Sequence, residues 1–291
     1  MSKFLCIYHG HCDDGFAAAW CVRAALGDEK VEFYAGQYQN SPPDVSGRDV
    51  IIVDFSYKRP VIDAMAASAA TLLILDHHKT AAADLYGFPP PLPGAYNPYA
   101  MLDWQRENNA PNAAHVLFDM ARSGAGIAWD YFHPGKPRPR FIDYIEDRDL
   151  WRKALPDGDL FTFALRSYPQ DFDIWDKLAE DVQQLIAQGN HIHRFYRMQV
   201  EDQKRNAYAA AINGVRCRVA NTPYAFASEV AGEIIDGDAE FGACYFQLAS
   251  GEWAYSLRSR GDFDVSEIAK AFGGGGHRNA AGFKSPMLVH Q

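Results

Sequence analysis

Residues 71–79 read TLLILDHHK, an uninterrupted apolar run that stops at an aspartate and two histidines. Such a run is typical of a β-strand buried on both faces, as in a parallel sheet covered by helices. Two other segments have the same form, KFLCIYH at 3–9 and DVIIVDF at 49–55, and helix-forming segments lie between the strands at 15–27 and 59–70. This alternation predicts βαβ units on a parallel sheet.

The pattern of predicted helices and strands changes in the second half of the chain, which predicts a second domain. Residues 171–210 carry long helical periodicity, and shorter strand-like and helix-like segments follow from about residue 214. We therefore predict an α/β fold in three parts. An N-terminal domain with a mostly parallel sheet flanked by helices spans 1–165, a helical linker spans 166–212, and a smaller C-terminal α/β domain spans 213–291.

Two segments between these elements are less regular. Residues 112–132 are rich in helix formers and are predicted to be largely helical. Residues 87–99, GFPPPLPGAYNPY, contain five prolines and are predicted to form a loop. Its residues Tyr96 and Tyr99, together with Trp104, are candidates for a lid over a binding site.

Composition restricts the class of function. The chain has 291 residues, of which 48% are hydrophobic and 22% charged, and its net charge is −9. Long duplex DNA is a poor partner for so acidic a chain, because affinity for DNA comes largely from neutralising phosphates. A short oligonucleotide or a small nucleotide, held by a few local basic residues, is compatible with this charge.

The sequence also bears on localisation and assembly. No apolar run of about 18 residues appears, and the N-terminus lacks the apolar core and cleavage site of a signal peptide. We therefore expect a cytoplasmic protein with no membrane partner, and a homodimer is compatible with the sequence.

The cysteines argue against a disulfide framework and against a structural zinc knuckle. Their number is odd, and no CxxC pair occurs among Cys6, Cys12, Cys21, Cys217 and Cys244. Most are expected to be small buried apolar residues. Cys12 is the exception, because it lies among acids and histidines.

Acidic and imidazole side chains follow all three predicted strands of the first domain. They are His9, His11, Asp13 and Asp14 after the first strand, where the thiol of Cys12 lies among them, Asp54 after the second, and Asp76, His77 and His78 after the third. Because the carboxyl ends of parallel strands meet at one edge of a sheet, we expect these side chains to lie together, and the EDRD segment at 146–149 could reach the same edge. Carboxylates with imidazoles suit Mn²⁺ or Mg²⁺, and two such ions can activate water against a phosphate.

The set of motifs resembles the DHH/DHHA1 phosphoesterases, whose members include the RecJ exonuclease and the nanoRNA and pAp phosphatases. The matching segments are His-x-His-x-x-Asp-Gly at 9–15, DHHK at 76–79 and GGGGH at 273–277. The resemblance implies a hydrolase that cleaves phosphodiester bonds of short oligonucleotides or small nucleotides. The nucleophile would be a hydroxide bridging two Mn²⁺ ions, with Mg²⁺ or Co²⁺ as alternatives. A phosphomonoesterase or pyrophosphatase acting on a pAp-like substrate, and a non-catalytic nucleotide-binding protein, remain alternatives.

The resemblance also implies roles for individual residues. Asp54 would bridge both metals, and His78 would lie beside the scissile phosphate while Asp76 orients the histidines. The full implied ligand set is His9, His11, Asp14, Asp54, His77 and Asp147.

Two of these assignments leave alternatives open. Relatives usually carry an aspartate between the positions of His9 and Asp14, and this chain has one residue more there, which puts either His11 or Cys12 in the aspartate's place. We favour His11, because imidazole suits Mn²⁺ better than a thiolate does. Asp149 is the alternative to Asp147.

The C-terminal motif predicts an anion-binding loop, because consecutive glycines let backbone N–H groups approach a phosphate. The resemblance implies that this loop faces the substrate across a cleft between the domains. The residues expected to hold a phosphate or a nucleoside end are Gly274, Gly275, Gly276, His277 and Arg258. Arg260 or Arg278 could replace Arg258. The SGAG segment at 123–126 is expected mainly to allow close packing.

Overall fold

The fold is described from a computed structural model, in which residues 3–38, 40–91 and 114–291 are described. The chain divides into two compact units, Met1–Asn190 and His191–Gln291. The division falls inside the predicted linker at 166–212. The candidate lid residues Tyr96, Tyr99 and Trp104 lie outside the described residues.

The first unit is built on a five-stranded parallel sheet, as predicted. Its strands are β1 Phe4–His9, β2 Val31–Gly36, β3 Asp49–Val53, β4 Thr71–Asp76 and β5 Ala114–Phe118. Their spatial order is β2-β1-β3-β4-β5, and every pair is parallel. β1, β3 and β4 are therefore neighbours at the centre of the sheet, and the residues that follow them emerge at one edge.

Helices cover both faces of this sheet. They are α1 Asp13–Leu26, α2 Arg59–Ser68, α3 Lys79–Asp84, α4 Gly124–Phe132, α5 Arg140–Asp149, α6 Gly158–Leu165, α7 Phe172–Glu180 and α8 Val182–Lys204, which continues into the second unit. Alternate residues of β3 enter two different cores: Ile51 and Val53 pack with α1 and α4, whereas Val50 and Ile52 pack with α2. Burial on both faces explains why the strand sequences are uniformly apolar.

The prediction that residues 112–132 are largely helical is wrong in its first part. Residues 114–118 form β5, whose backbone pairs with β4 from Leu72↔Ala114 to Asp76↔Phe118. The helix begins only at Gly124, where the Ser123 side chain accepts a hydrogen bond from the N–H of Gly126. Pairing with the exposed edge of β4 outweighs local helix propensity here.

The second unit contains a mixed six-stranded sheet. Its strands are β6 Tyr208–Ile212, β7 Val215–Asn221, β8 Phe241–Gln247, β9 Trp253–Ser259, β10 Gly275–His277 and β11 Ala280–Ser285, in the order β10-β11-β9-β8-β7-β6. Only the β7–β8 pair is parallel among the described pairings. Helices α9 Tyr224–Glu233 and α10 Val265–Ala271 complete the unit, as the sequence predicted.

The prediction that residues 171–210 are helical extends a few residues too far toward the C-terminus. Helix α8 stops at Lys204, and β6 starts at Tyr208. Asn213 and Gly214, both with positive φ, form the two-residue connection that pairs β6 with β7. Asn-Gly is the preferred turn for such a hairpin, so this tight turn draws the preceding residues into the sheet.

In the parts of the chain that the structure describes, no helix has the length and apolar character needed to cross a membrane.

Candidate metal centre

Asp54 lies at the middle of the site. It follows β3 directly, its backbone N–H donates to the carbonyl of Leu75 at 2.9 Å, and its φ of 54° turns the chain away from the strand. Its side chain is only 1% exposed. The carboxylate is therefore held at the edge of the sheet, between the ends of β1 and β4.

Two imidazoles approach this carboxylate from opposite sides. Asp54 Oδ2 lies 3.4 Å from His9 Nδ1, at the end of β1, and Asp54 Oδ1 lies 3.1 Å from His77 Nε2, just after β4. His77 Nε2 is also 3.8 Å from Asp14 Oδ2 and 3.5 Å from Asp149 Oδ2. The strand ends thus bring together residues that are distant in sequence.

These donor atoms form three overlapping groups, within each of which the atoms lie no more than 4.8 Å apart. The groups are His9, Cys12 and Asp54; Asp54, His77 and His78; and Asp14, His77 and Asp149. Both oxygens of Asp54 and Nδ1 of His9 are buried without a hydrogen-bond partner among the described residues. Unpartnered buried acceptors are costly. A divalent cation would satisfy them, so the residues fit a metal centre.

The charges of the site also favour a bound cation. Burial raises the pKa of Asp54, but the imidazoles of His77 and His9 outweigh it and lower that pKa to about 2, so the carboxylate is ionised. Burial, followed by the charges of Asp54 and Asp149, raises the pKa of Asp14 well above its usual value. Like-charged carboxylates crowded in a dry site need a cation to be stable together.

Asp14 is positioned by the start of α4. Its Oδ2 accepts from the N–H of Gly124 at 2.6 Å and its Oδ1 from the N–H of Ala125 at 3.0 Å. Such N–H groups at a helix start favour a negative charge. A Cβ at Gly124 would overlap the side chain of Asp54. The SGAG segment therefore allows α4 to approach the site closely, in addition to the packing expected from sequence.

Asp76 organises the DHH turn, in which it is fully buried. Its Oδ1 accepts from the backbone N–H of His77 at 2.7 Å and lies 2.7 Å from Nδ1 of His78. This contact with Asp76 is the largest cause of the raised pKa of His78. Since a carboxylate accepts, Nδ1 of His78 carries the hydrogen and Nε2 is the nitrogen left for a ligand.

The structure separates the two alternatives at the extra position of the first motif. His11 is exposed, has a φ of 59°, and belongs to none of the three donor groups found among the described residues. Cys12 is half-buried, and its sulfur lies with His9 and Asp54. The turn at Gly10 and His11 takes up the extra residue, so that Cys12 rather than His11 reaches the donors.

The structure likewise places Asp149, not Asp147, beside His77. Asp147 is buried and accepts from the N–H groups of Ala154 at 2.9 Å and Leu155 at 3.3 Å. It therefore anchors the loop that follows α5. The two residues are two positions apart on a helix and point to different sides, which spacing in the sequence does not reveal.

A cavity of about 600 Å³ opens beside the donor residues and is lined by residues of α5, α6 and the segments that follow them, together with the first motif: His9, His11, Cys12, Asp13 and Asp14. One of its lining residues is the exposed Trp151, whose ring centre lies 4.3 Å from the guanidinium of Arg148 and 4.4 Å from the ammonium of Lys153. Sequence reasoning missed Trp151. Its position directly after EDRD was the available signal.

In the second unit, Arg258 and the glycine loop line one cavity of about 670 Å³. Arg258 is held by Ser228 Oγ at 3.0 Å and by the carbonyl of Leu257 at 2.8 Å. Gly274, Gly275 and Gly276 lie in its wall, whereas the exposed His277 does not. Of the alternative arginines, Arg260 donates to the carbonyl of Gly232 and Arg278 pairs with Asp262.

Comparison with known families places this second unit. The model of the DHHA1 domain matches residues 225–288. The second unit therefore contains a DHHA1 domain. The match covers α9, β8, β9, α10 and the glycine loop.

Individual proteins are similar over most of the chain. The uncharacterized protein R106 of Acanthamoeba polyphaga mimivirus is 30% identical over 304 residues, a match that covers 95% of the chain and 66% of R106, slightly under two thirds of its length. RecJ of Thermus thermophilus in complex with Mn²⁺ has a TM-score of 0.50 and 16% identity over 97% of this chain and 49% of that chain. An exonuclease RecJ bound to manganese has a TM-score of 0.51 and 15% identity over 97% of this chain and 86% of its own. Both RecJ structures share the fold.

Proposed function

We propose that the chain is a metal-dependent phosphoesterase that hydrolyses phosphodiester bonds of short oligonucleotides or small nucleotides. The observation that carries the proposal is the shared carboxylate of Asp54, buried between two groups of metal-type donors and left without a hydrogen-bond partner among the described residues. The DHHA1 domain and the fold shared with the two RecJ structures support the same chemistry.

The first-unit donors would hold two divalent ions. His9, Cys12 and Asp54 form one group, and Asp14, His77 and Asp149 form the other, with Asp54 Oδ1 only 3.1 Å from His77. Bound divalent ions supply Lewis-acid polarisation of a phosphate and a water-derived nucleophile at neutral pH. Oxygen and nitrogen donors suit Mn²⁺, with Mg²⁺ or Co²⁺ as alternatives.

The chain's own side chains would bind and orient the phosphate. His78, fixed through Nδ1 by Asp76, offers Nε2 as a hydrogen-bond donor or acceptor beside Asp54. Arg148 and Arg166 line the cavity next to the donor residues. Guanidinium groups bind phosphate in a bidentate manner, so these residues supply the local positive charge that an acidic chain needs for such a substrate.

A nucleotide is favoured over inorganic pyrophosphate by the aromatic residue of the cavity. Trp151 is 63% exposed, and the cationic groups of Arg148 and Lys153 lie 4.3 and 4.4 Å from its ring centre. A base could stack on this exposed ring in place of one of these cations, which would then be free to contact the phosphates of the substrate. In the second unit taken by itself, we propose that Arg258 and Gly274–Gly276 bind a phosphate or a nucleoside end, because an arginine and exposed backbone converge there.

The test is a hydrolysis assay with purified protein, supplied with Mn²⁺, Mg²⁺ or Co²⁺ in turn. The substrates are a dinucleotide, pAp, a cyclic dinucleotide and pyrophosphate. We expect mononucleotides from the dinucleotide, and a loss of at least about 1,000-fold in rate for Asp54→Asn, because activation of the nucleophile depends on the metals that Asp54 holds. Asp63→Asn, an exposed carboxylate on α2, is the matched control and should retain full activity.

Two results would replace the proposal. Release of inorganic phosphate from pAp, with intact dinucleotide, would make the chain a phosphomonoesterase. Binding of nucleotides without turnover under any of the three metals would make it a non-catalytic nucleotide-binding protein.

A further inference from the structure

The first donor group contains a sulfur atom. Cys12 Sγ, a nitrogen of His9 and an oxygen of Asp54 all lie within 4.8 Å of one another. The two other groups found among the described residues contain only carboxylate oxygens and imidazole nitrogens. The two halves of the centre therefore differ in chemistry, one offering a soft donor and the other only harder ones.

Independent features of the site point to a ligand at this sulfur. Asp54 is 1% exposed, and neither of its oxygens makes a hydrogen bond within the described residues, where their neighbours are the imidazoles of His9 and His77. Nδ1 of His9 likewise makes no hydrogen bond there. Asp54 and His9 both belong to the same donor group as the sulfur. Buried polar atoms without partners mark a place where an ion is expected.

Helix capping does not account for Cys12. The residue occupies the N-cap position of α1 with a φ of −116° and a ψ of 135°, but its side chain makes no capping hydrogen bond. Serine, threonine, aspartate and asparagine are the residues preferred at that position. Core packing does not account for it either, because Cys6, Cys21, Cys217 and Cys244 are buried whereas Cys12 is half-buried and lines the cavity.

We propose that the Cys12 thiolate is a ligand of the first metal, together with His9 and Asp54, and that it biases this site toward thiophilic divalent cations such as Zn²⁺ and Co²⁺. The second site, formed by Asp14, His77 and Asp149, keeps the preference of oxygen and nitrogen donors for Mn²⁺. The inference rests on the proposed metal centre and specifies which ion each half of it selects.

The experiment is a Co²⁺ titration of the metal-free full-length protein, followed by absorption. A thiolate bound to Co²⁺ gives a near-ultraviolet charge-transfer band that carboxylate and imidazole ligands do not give. We expect the band in the unmodified protein and in Cys217→Ala, the matched control that removes a buried thiol from the second unit. We expect no band in Cys12→Ser, with Co²⁺ affinity lowered about tenfold or more, since even residues that only support a ligand contribute about 10–100-fold.

A second variant and a second measurement protect the test against misfolding. Cys12→Asp supplies a good N-cap residue and a hard ligand, so it should fold, lack the band and bind Mn²⁺ at least as tightly as the unmodified protein. In the unmodified protein, Zn²⁺ should slow alkylation of Cys12, measured by mass spectrometry of the peptides.

The outcomes separate this inference from the proposed function. Co²⁺ binding without a thiolate band, or a band that persists in Cys12→Ser and Cys12→Asp, would overturn the role of the thiol while leaving a phosphoesterase in place. Absence of Co²⁺ binding altogether would overturn the metal centre, and with it both proposals.

Discussion

At the scale of single residues, the conformation of a few turn positions decides which side chains reach the site. Asp54 and His11 both have positive φ, at 54° and 59°, a region that costs most residues energy. At Asp54 this conformation aims a carboxylate between two imidazoles. At His11 it accompanies an exposed side chain that belongs to no donor group found among the described residues, whereas the next residue, Cys12, lies among the donors.

On helix α5, backbone geometry likewise decides that Asp149 and not Asp147 lies beside His77, and this difference gives a prediction. Asp149→Ala should lower Mn²⁺ affinity by at least about tenfold while leaving the stability of the metal-free protein unchanged or higher, because a crowded negative charge is removed. Asp147→Ala should instead lower the free energy of unfolding by about 1–3 kcal/mol, because the N–H groups of Ala154 and Leu155 lose their acceptor.

Mn²⁺ titration calorimetry and urea unfolding of the metal-free protein measure the two effects. The assignment fails if the variants behave the other way round, with Asp147→Ala losing the metal and Asp149→Ala losing stability.

At the scale of elements, the start of α4 is the contact that closes the site. Its first two N–H groups hold Asp14, and Gly124 lies against the side chain of Asp54. Next to it, a Cβ at Gly126 would overlap the carboxylate of Glu146, whose Oε2 accepts from the N–H of Ser123 at 3.0 Å. Because these two positions are glycines, the start of α4 can lie closer to Asp54 and Glu146 than any side chain there would allow.

Gly124→Ala should therefore damage both stability and metal binding. The added methyl group has to displace α4 from Asp54, which we expect to lower the free energy of unfolding by about 1–3 kcal/mol and to weaken Mn²⁺ binding through the loss of both N–H contacts to Asp14.

Gly158→Ala is the matched control at the start of another helix, α6. The nearest atom to its added Cβ would be Asp147 Oδ2 at 3.7 Å, an ordinary contact, so this variant should be neutral or more stable by up to about 1 kcal/mol. Unfolding curves and Mn²⁺ titrations of the two variants decide the matter, and equal behaviour of the pair would contradict the role given to Gly124.

At the scale of the whole molecule, all the candidate metal donors found among the described residues belong to the first unit, Met1–Asn190. The second unit has its own sheet and cores. Metal binding should accordingly stabilise the first unit directly and leave the stability of the strands in the second unit unchanged.

Hydrogen exchange with and without Mn²⁺ tests this expectation. At a Mn²⁺ concentration of about 100 times Kd, binding adds about 2.7 kcal/mol, so amides of β1, β3, β4 and the start of α4 that exchange by opening of the site should exchange about 100-fold more slowly. Amides of β8 and β9 should not change, and Asp54→Asn should abolish the effect. Equal protection of both units would show that the ions bind elsewhere or that the units open together.

Much of the architecture follows from local signals in the chain. Apolar runs that end in acids predicted β1, β3 and β4, their order along the chain predicted a parallel sheet, and its carboxyl edge predicted where His9, Asp54 and His77 meet. These inferences succeed because burial on both faces and strand direction are properties of each segment and its neighbours in sequence.

Tertiary structure decided the remainder. Residues 114–118 are a strand because β4 offers them hydrogen bonds, and Tyr208 begins a strand because the Asn213-Gly214 turn pairs it with β7. Whether Cys12 or His11, and Asp149 or Asp147, faces the donors depends on backbone rotation at one turn and on the orientation of one helix. Spacing along the chain names the candidates for such a position, but only the packing of distant segments fixes which side chain occupies it.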